Sequence, residues 1–239
     1  MRCSLLKENL FNGLSVVSSI ASKNLSLPIL QNVRMTAKQG VIEFATTNLE
    51  IGIRFTVRGK VDEDGEITVP ARVFMEMVGA FPNERIDCST EGNTLNISCS
   101  RTQTALRGIS VEEFPVIPTL TQGEEVLCDA GDCIDALSQV LFSTASDESR
   151  PEIHGVFVHA EDKKMLFAST DSFRLSEREI STTKAPITPQ SRIVPQRTLQ
   201  EVERLLTRSG ANAVVRVLFG ENQIAFHCGD GEIISRLIE

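Results

Sequence analysis

Apolar residues return at helical spacing at Leu10, Leu14, Val17 and Ala21, and again at Ile134, Leu137, Val140 and Leu141. Each set falls on one side of a 3.6-residue helix and predicts a helix with one buried face. Behind the first lie "NVRMTAK", "VIEFATT" and "IGIRFTVRG", short β-rich runs broken by Gln-Gly or Asn, which read as strands joined by turns. A second helix is expected to open behind Pro70, where proline suits the first turn, and to carry Val73, Phe74, Met77, Val78 and Phe81 inward. Its counterpart opens behind Pro195 and buries Leu199, Val202, Leu205 and Leu206. Helix, strands, helix, strands in each half predicts an α+β fold in which two helices pack on antiparallel sheets.

The two halves repeat one another. "PILQNV" from Pro28 and "PEIHGV" from Pro151 stand 123 positions apart, as do "FATTN" from Phe44 and "FASTD" from Phe167. "TVPARVFMEMVGAF" (68–81) answers "IVPQRTLQEVERLL" (193–206) at an offset of 125, and "NTLNISC" (93–99) answers "NQIAFHC" (222–228) at 129. Small, growing offsets mean loop insertions between matched elements, so the chain reads as two copies of one domain, 1–119 and 120–239. The first copy closes with "LRGISVEEFPVIP", whereas the matching "IISRLIE" reaches Glu239 before any Phe-Pro. The last strand of the second copy is therefore expected to be incomplete, and a further domain to be missing.

Composition narrows the function. Of 239 residues 41% are hydrophobic, enough to bury a core, and no run of 18 apolar residues or signal-peptide core occurs, so a cytoplasmic protein without a membrane partner is expected. Six scattered cysteines lack a C-x-x-C pair, which reads as reduced thiols with no metal or other cofactor. The formal charge of −8 opposes a uniformly basic surface, but a local basic stripe decides phosphate binding. With no Trp and no Tyr, stacking platforms for single strands are scarce, and any nucleic acid is expected to be duplex.

In order and spacing, "LPILQNV", "TTNLEIGI", "TVPAR", "EFPVIP", "RPEIHGV", "ASTDSFRLS", "RIVPQR" and the terminal "SRLIE" resemble the bacterial sliding clamps, the beta subunits of DNA polymerase III, across essentially the whole chain. The resemblance implies three similar domains per subunit and a homodimeric ring around double-stranded DNA, with this chain matching domains one and two. It also implies a non-catalytic processivity factor, nucleoid-associated. Its partners would be the polymerase III catalytic subunit, the clamp loader and other clamp-binding proteins. The DNA-facing positions it implies are Lys23, Arg72, Arg150, Gln196 and Arg197. A partner-peptide pocket would be lined by Ile153, Thr170, Ser172, Phe173, Arg174 and Leu175, where the family often has Gly at Ser172 and His or Tyr at Phe173. A subunit interface would use the edge strand "RTQTALRG", with Leu106 as apolar anchor and Arg101 as rim charge.

Beside these stand plainer readings. The cations can be solvated surface charges, and "ASTDSFRLS" can be a strand-turn-strand with Leu175 in the core. A two-domain clamp that trimerises, or a peptide-binding adaptor with no DNA role, remains an alternative. An enzyme is disfavoured, because Asp147-Glu148 beside His154 and the Asp171/Arg174 pair lack a nucleophile-base set or metal-ligand spacing.

Overall fold

A computed structural model of the chain describes residues 1–21, 27–147 and 149–238, and the chain divides into two units, Met1–Ile117 and Pro118–Glu239. The first runs β1 (Arg2–Leu6), α1 (Lys7–Val17), β2 (Asn32–Lys38), β3 (Val41–Thr47), β4 (Ile51–Arg58), β5 (Lys60–Glu63), β6 (Gly65–Pro70), α2 (Ala71–Ala80), β7 (Arg85–Glu91), β8 (Thr94–Cys99) and β9 (Thr102–Arg107). Its strands form two antiparallel ladders, β4-β3-β2-β6 and β5-β1-β7-β8-β9. The second runs β10 (Glu124–Asp129), α3 (Ala130–Val140), β11 (Gly155–Glu161), β12 (Lys164–Thr170), β13 (Leu175–Lys184), β14 (Gln190–Pro195), α4 (Gln196–Ser209), β15 (Val214–Phe219), β16 (Gln223–Cys228) and β17 (Gly231–Arg236). Its strand order, β14-β11-β12-β13-β10-β15-β16-β17, is that of the first unit with one long strand, β13, doing the work of β4 and β5.

The expected α+β architecture is present in both units, with two helices packed together over each sheet system. In the first, Leu10, Leu14 and Val17 of α1 and Phe74 and Val78 of α2 are buried with Phe44 of β3 and Met35 of β2. Burial of each such side chain stabilises by about 1.5–3 kcal/mol. Gly13 of α1 lets the Phe44 ring approach, since a Cβ there would lie 2.6 Å from it. In the second, Leu137 and Val140 of α3 and Leu199, Val202, Leu205 and Leu206 of α4 are buried with Met165 and Phe167 of β12.

Three details differ from the sequence reading. Each unit begins with a strand, β1 or β10, leading straight into its first helix. These strands are short and their partners, β7 and β15, lie far along the chain, so local periodicity does not reveal them. The first helix ends at Val17, and Ala21 is buried in the segment that follows it. On α2, Val73 is 50% exposed rather than inward, because Phe74 and Val78, four apart, already fill the narrow face of a ten-residue helix. β17 pairs with β16 from Gly231 to Arg236, six residues for six, as β9 pairs with β8.

Candidate functional site

The stretch "ASTDSFRLS" places a turn between β12 and β13. Asp171 is its organiser: Oδ1 accepts from the backbone N–H groups of Phe173 and Arg174, both at 3.0 Å, and Oδ2 accepts from Arg174 Nε at 2.9 Å. Those backbone donors, then the Arg174 guanidinium, hold the Asp171 carboxyl below its usual value. The Thr170 hydroxyl donates to the Arg174 carbonyl at 2.7 Å and accepts from Ser172 N–H at 3.1 Å. Ser172 is thereby held at φ 76°, the left-handed region that side chains with a Cβ seldom adopt.

Beside this turn is an open cavity of about 600 Å³. Ile153, Ser172, Phe173 and Arg174 line it, joined by Phe142, Arg150 and Asp147. Thr170 serves inside the turn instead, and Leu175, expected in the core by the plainer reading, is 70% exposed next to it. Phe173 is 97% exposed and Phe142 57%, an unusual display of aromatic surface for one small area. The Arg174 guanidinium lies 5.4 Å from the Phe142 ring centroid, a cation–π contact that steadies both.

Arg150, expected to face DNA, reaches into this cavity: Nη1 donates to Ser172 Oγ at 2.9 Å and Nε to Glu152 at 3.4 Å. Sequence reasoning missed Phe142 and the pocket role of Arg150. The available signal for Phe142 was an aromatic just past a helix whose inward positions other residues already satisfy.

Of the other expected DNA contacts, Arg72 and Arg197 are exposed at the second residue of α2 and α4, in the first turn of each helix. Gln196 is half-buried and its amide donates to the Leu141 carbonyl at 3.1 Å, which ties α4 to the end of α3. Lys23 lies outside the described residues. The helices are not a basic surface. In the first unit α1 and α2 set Lys7 and Arg72 against Glu8 and Glu76; in the second, α3 and α4 set Arg197, Arg204 and Arg208 against Asp132, Asp135, Glu201 and Glu203.

At the edge of the first unit, β9 pairs with β8 along one side, and its other side has no strand partner among the described residues. Leu106 is half-buried there and Arg101 is exposed at its start. Among the described residues no cluster of His, Cys, Asp and Glu could hold a metal, and no helix is long and apolar enough to cross a membrane. His154 Nδ1 is 2.8 Å from the Ala145 carbonyl, and both Asp147 oxygens are taken by Ser149, so these residues brace the loop beside the cavity.

Residues 1–118 match the family described as the DNA polymerase III beta subunit, N-terminal domain, and residues 129–239 match its central domain. The chain belongs to the DNA polymerase III beta subunit family. Among relatives of this family, the beta sliding clamp of Synechococcus elongatus is 29% identical over 246 residues, covering 100% of this chain and 65% of that protein. That of Rickettsia bellii is 27% identical over 97% of this chain and 62% of its own length. A putative DNA polymerase III beta subunit from Eubacterium rectale superposes with a TM-score of 0.93 at 26% identity, over 100% of this chain and 65% of that one. The DnaN sliding clamp of Pseudomonas aeruginosa, solved bound to griselimycin, shares the fold with a TM-score of 0.94 at 23% identity, again over 100% and 65%. The chain thus spans about 65% of the length of these beta-subunit relatives.

Proposed function

We propose that the chain forms two clamp domains of a non-catalytic processivity factor that encircles duplex DNA in the cytoplasm, at the nucleoid, and tethers polymerase III and its clamp loader. The observation that carries this reading is membership in the beta-subunit family over both repeated domains. The near-neutral helices support a topological hold, because phosphate contacts made by cations that the helices' own carboxylates balance would be weak and quickly lost in salt. Arg72 and Arg197 would then guide the duplex without reading its sequence. The exposed β9 edge, with Leu106 and Arg101, would join subunits by strand addition. The aromatic cavity beside Ser172 would receive an extended, largely apolar segment of a partner protein.

The test is retention on a nicked circular plasmid after loading by a clamp-loading complex, followed by cutting the plasmid once. Release on cutting at constant salt supports encirclement. Retention on the linear product that falls steeply with salt would overturn it in favour of phosphate affinity.

A further inference from the structure

Cys99 on β8 and Cys228 on β16 stand 129 positions apart at equivalent places, both buried, where a small thiol serves each unit as ordinary core filling. Cys3 and Cys88 have no such counterpart. They are directly opposed on β1 and β7, and the same ladder position in the second unit, between β10 and β15, pairs Val126 with Val217, both fully buried. An apolar pair therefore satisfies packing at this place. The two thiols add a chemistry that packing does not require.

The strand register brings them within bonding reach. Thr90 N–H donates to the Met1 carbonyl at 3.1 Å and Lys7 N–H to the Glu84 carbonyl at 2.9 Å, so every second pair between these ends is a hydrogen-bonded one, Cys3–Cys88 among them. Opposed Cα atoms in such a pair are about 5.5 Å apart, a separation that a disulfide spans. Their Cβ atoms stand about 5.5 Å apart against about 3.8 Å in a relaxed disulfide, so a bond here is strained and readily reduced. Both residues also line an open cavity of about 760 Å³, beside Arg2, Asp62, Arg85 and Asp87. At 1% exposure neither admits a bulky reagent, whereas hydrogen peroxide is little larger than water. Interaction with Cys88 lowers the Cys3 thiol in spite of burial and the carboxylates of Asp62 and Asp87, which favours the nucleophilic thiolate. The other close pair lacks these features. Cys128 and Cys133 are 3.1 Å apart, but neither lines that cavity, and the bond between them together with burial pushes the Cys133 thiol well above its ordinary range.

We propose that Cys3 and Cys88 form a dithiol site that hydrogen peroxide oxidises to a reversible disulfide between β1 and β7. The Cys3 thiolate attacks one peroxide oxygen, the O–O bond breaks, and the departing hydroxide takes up a proton and leaves as water. The Cys88 thiol then attacks the sulfur of the resulting sulfenic acid; the S–O bond breaks, and the hydroxyl leaves with the Cys88 proton as a second water. The two sulfurs lose two electrons and the peroxide gains them. A small thiol such as glutathione reverses the bond by exchange, becoming oxidised itself. In the test, the reduced chain is exposed to hydrogen peroxide at neutral pH, alkylated in denaturant and digested without reduction, and linked peptides are read by mass spectrometry. The expected product joins the Cys3 and Cys88 peptides, leaves the other four cysteines alkylated and is released by reduced glutathione. It is expected to form about tenfold faster than any modification of Cys128 or Cys133. Cys88→Val, which places the second unit's own side chain in the ladder, is expected to fold and to stop at a Cys3 sulfenic acid that dimedone traps. A first link between Cys128 and Cys133, or the absence of a Cys3–Cys88 link in the folded chain, overturns the proposal. A Cys3–Cys88 link that glutathione does not release overturns it as a reversible site.

Discussion

Leu49 and Ser172 stand 123 positions apart in the sequence and adopt the same left-handed backbone, at φ 79° and 76°, each at the third residue of a turn with the same hydrogen bonds. Neither residue has the freedom of glycine, so both turns carry strain of about 1–2 kcal/mol that the surrounding bonds hold in place. Ser172→Gly is expected to raise stability by up to about 1 kcal/mol, measured by urea denaturation, because the relief is offset by glycine's larger entropy loss.

A second repeated contact ties each leading helix to its sheet. Thr46 Oγ1 donates to the Val17 carbonyl at the end of α1, and Ser169 Oγ donates to the Val140 carbonyl at the end of α3, both at 2.5 Å and both buried. Thr46→Val and Ser169→Ala each leave a buried carbonyl short of a partner. Each is expected to cost about 1–2 kcal/mol in equilibrium unfolding, with the loss confined to the unit that carries the change.

Gly108 follows the edge strand β9 and fits where nothing larger can. A Cβ at this position would fall 1.8 Å from the Thr68 carbonyl oxygen, within backbone that also holds the Thr68 hydroxyl on the Ile109 carbonyl. Gly108→Ala is expected to destabilise the first unit by about 3 kcal/mol or more and to increase hydrogen exchange in β9, as read by mass spectrometry.

All six cysteines are buried. Cys128 and Cys133 lie 3.1 Å apart, and the hydrogen bond between them together with burial pushes the Cys133 thiol well above its ordinary range. At the Cys3–Cys88 pair, the interaction between the two thiols lowers Cys3 and raises Cys88. Since reactivity needs both thiolate and access, Ellman's reagent is expected to react negligibly with the native protein and with six thiols after denaturation.

The turn beside the cavity should survive mild acid. The Asp171 carboxyl sits below its ordinary 3.8, so its bonds stabilise the folded turn above that pH and are lost as pH falls through the lower folded value. A carbon-detected NMR titration should show Asp171 ionised at pH 3.8. Titration at or above that value would mean its backbone donors are not engaged in solution.

Periodicity and repetition were legible along the chain. The inward faces of α1, α3 and α4, the strands of "NVRMTAK" and "VIEFATT", the helix starts behind Pro70 and Pro195, and the doubled domain all follow from spacing, because helix and strand periods and proline's fixed φ are local properties. The echo of "TTNLEI" in "STDSFR" was visible as well, and its cause is turn chemistry carried by side chains two to four residues apart. Other features needed the folded chain. β1 and β10 exist through ladders with strands some eighty residues away, and α2 exposes Val73 because the depth of the layer beneath a helix is set by its neighbours. The cavity is the clearest case. Arg150 and Ser172 are 22 positions apart, and only the packing of the loop after α3 against the β12–β13 turn brings them within a hydrogen bond and sets Phe142 beside Arg174. Sequence determined which local structures could form, and tertiary packing decided which side chains share a site, since contacts between distant segments leave no period to read.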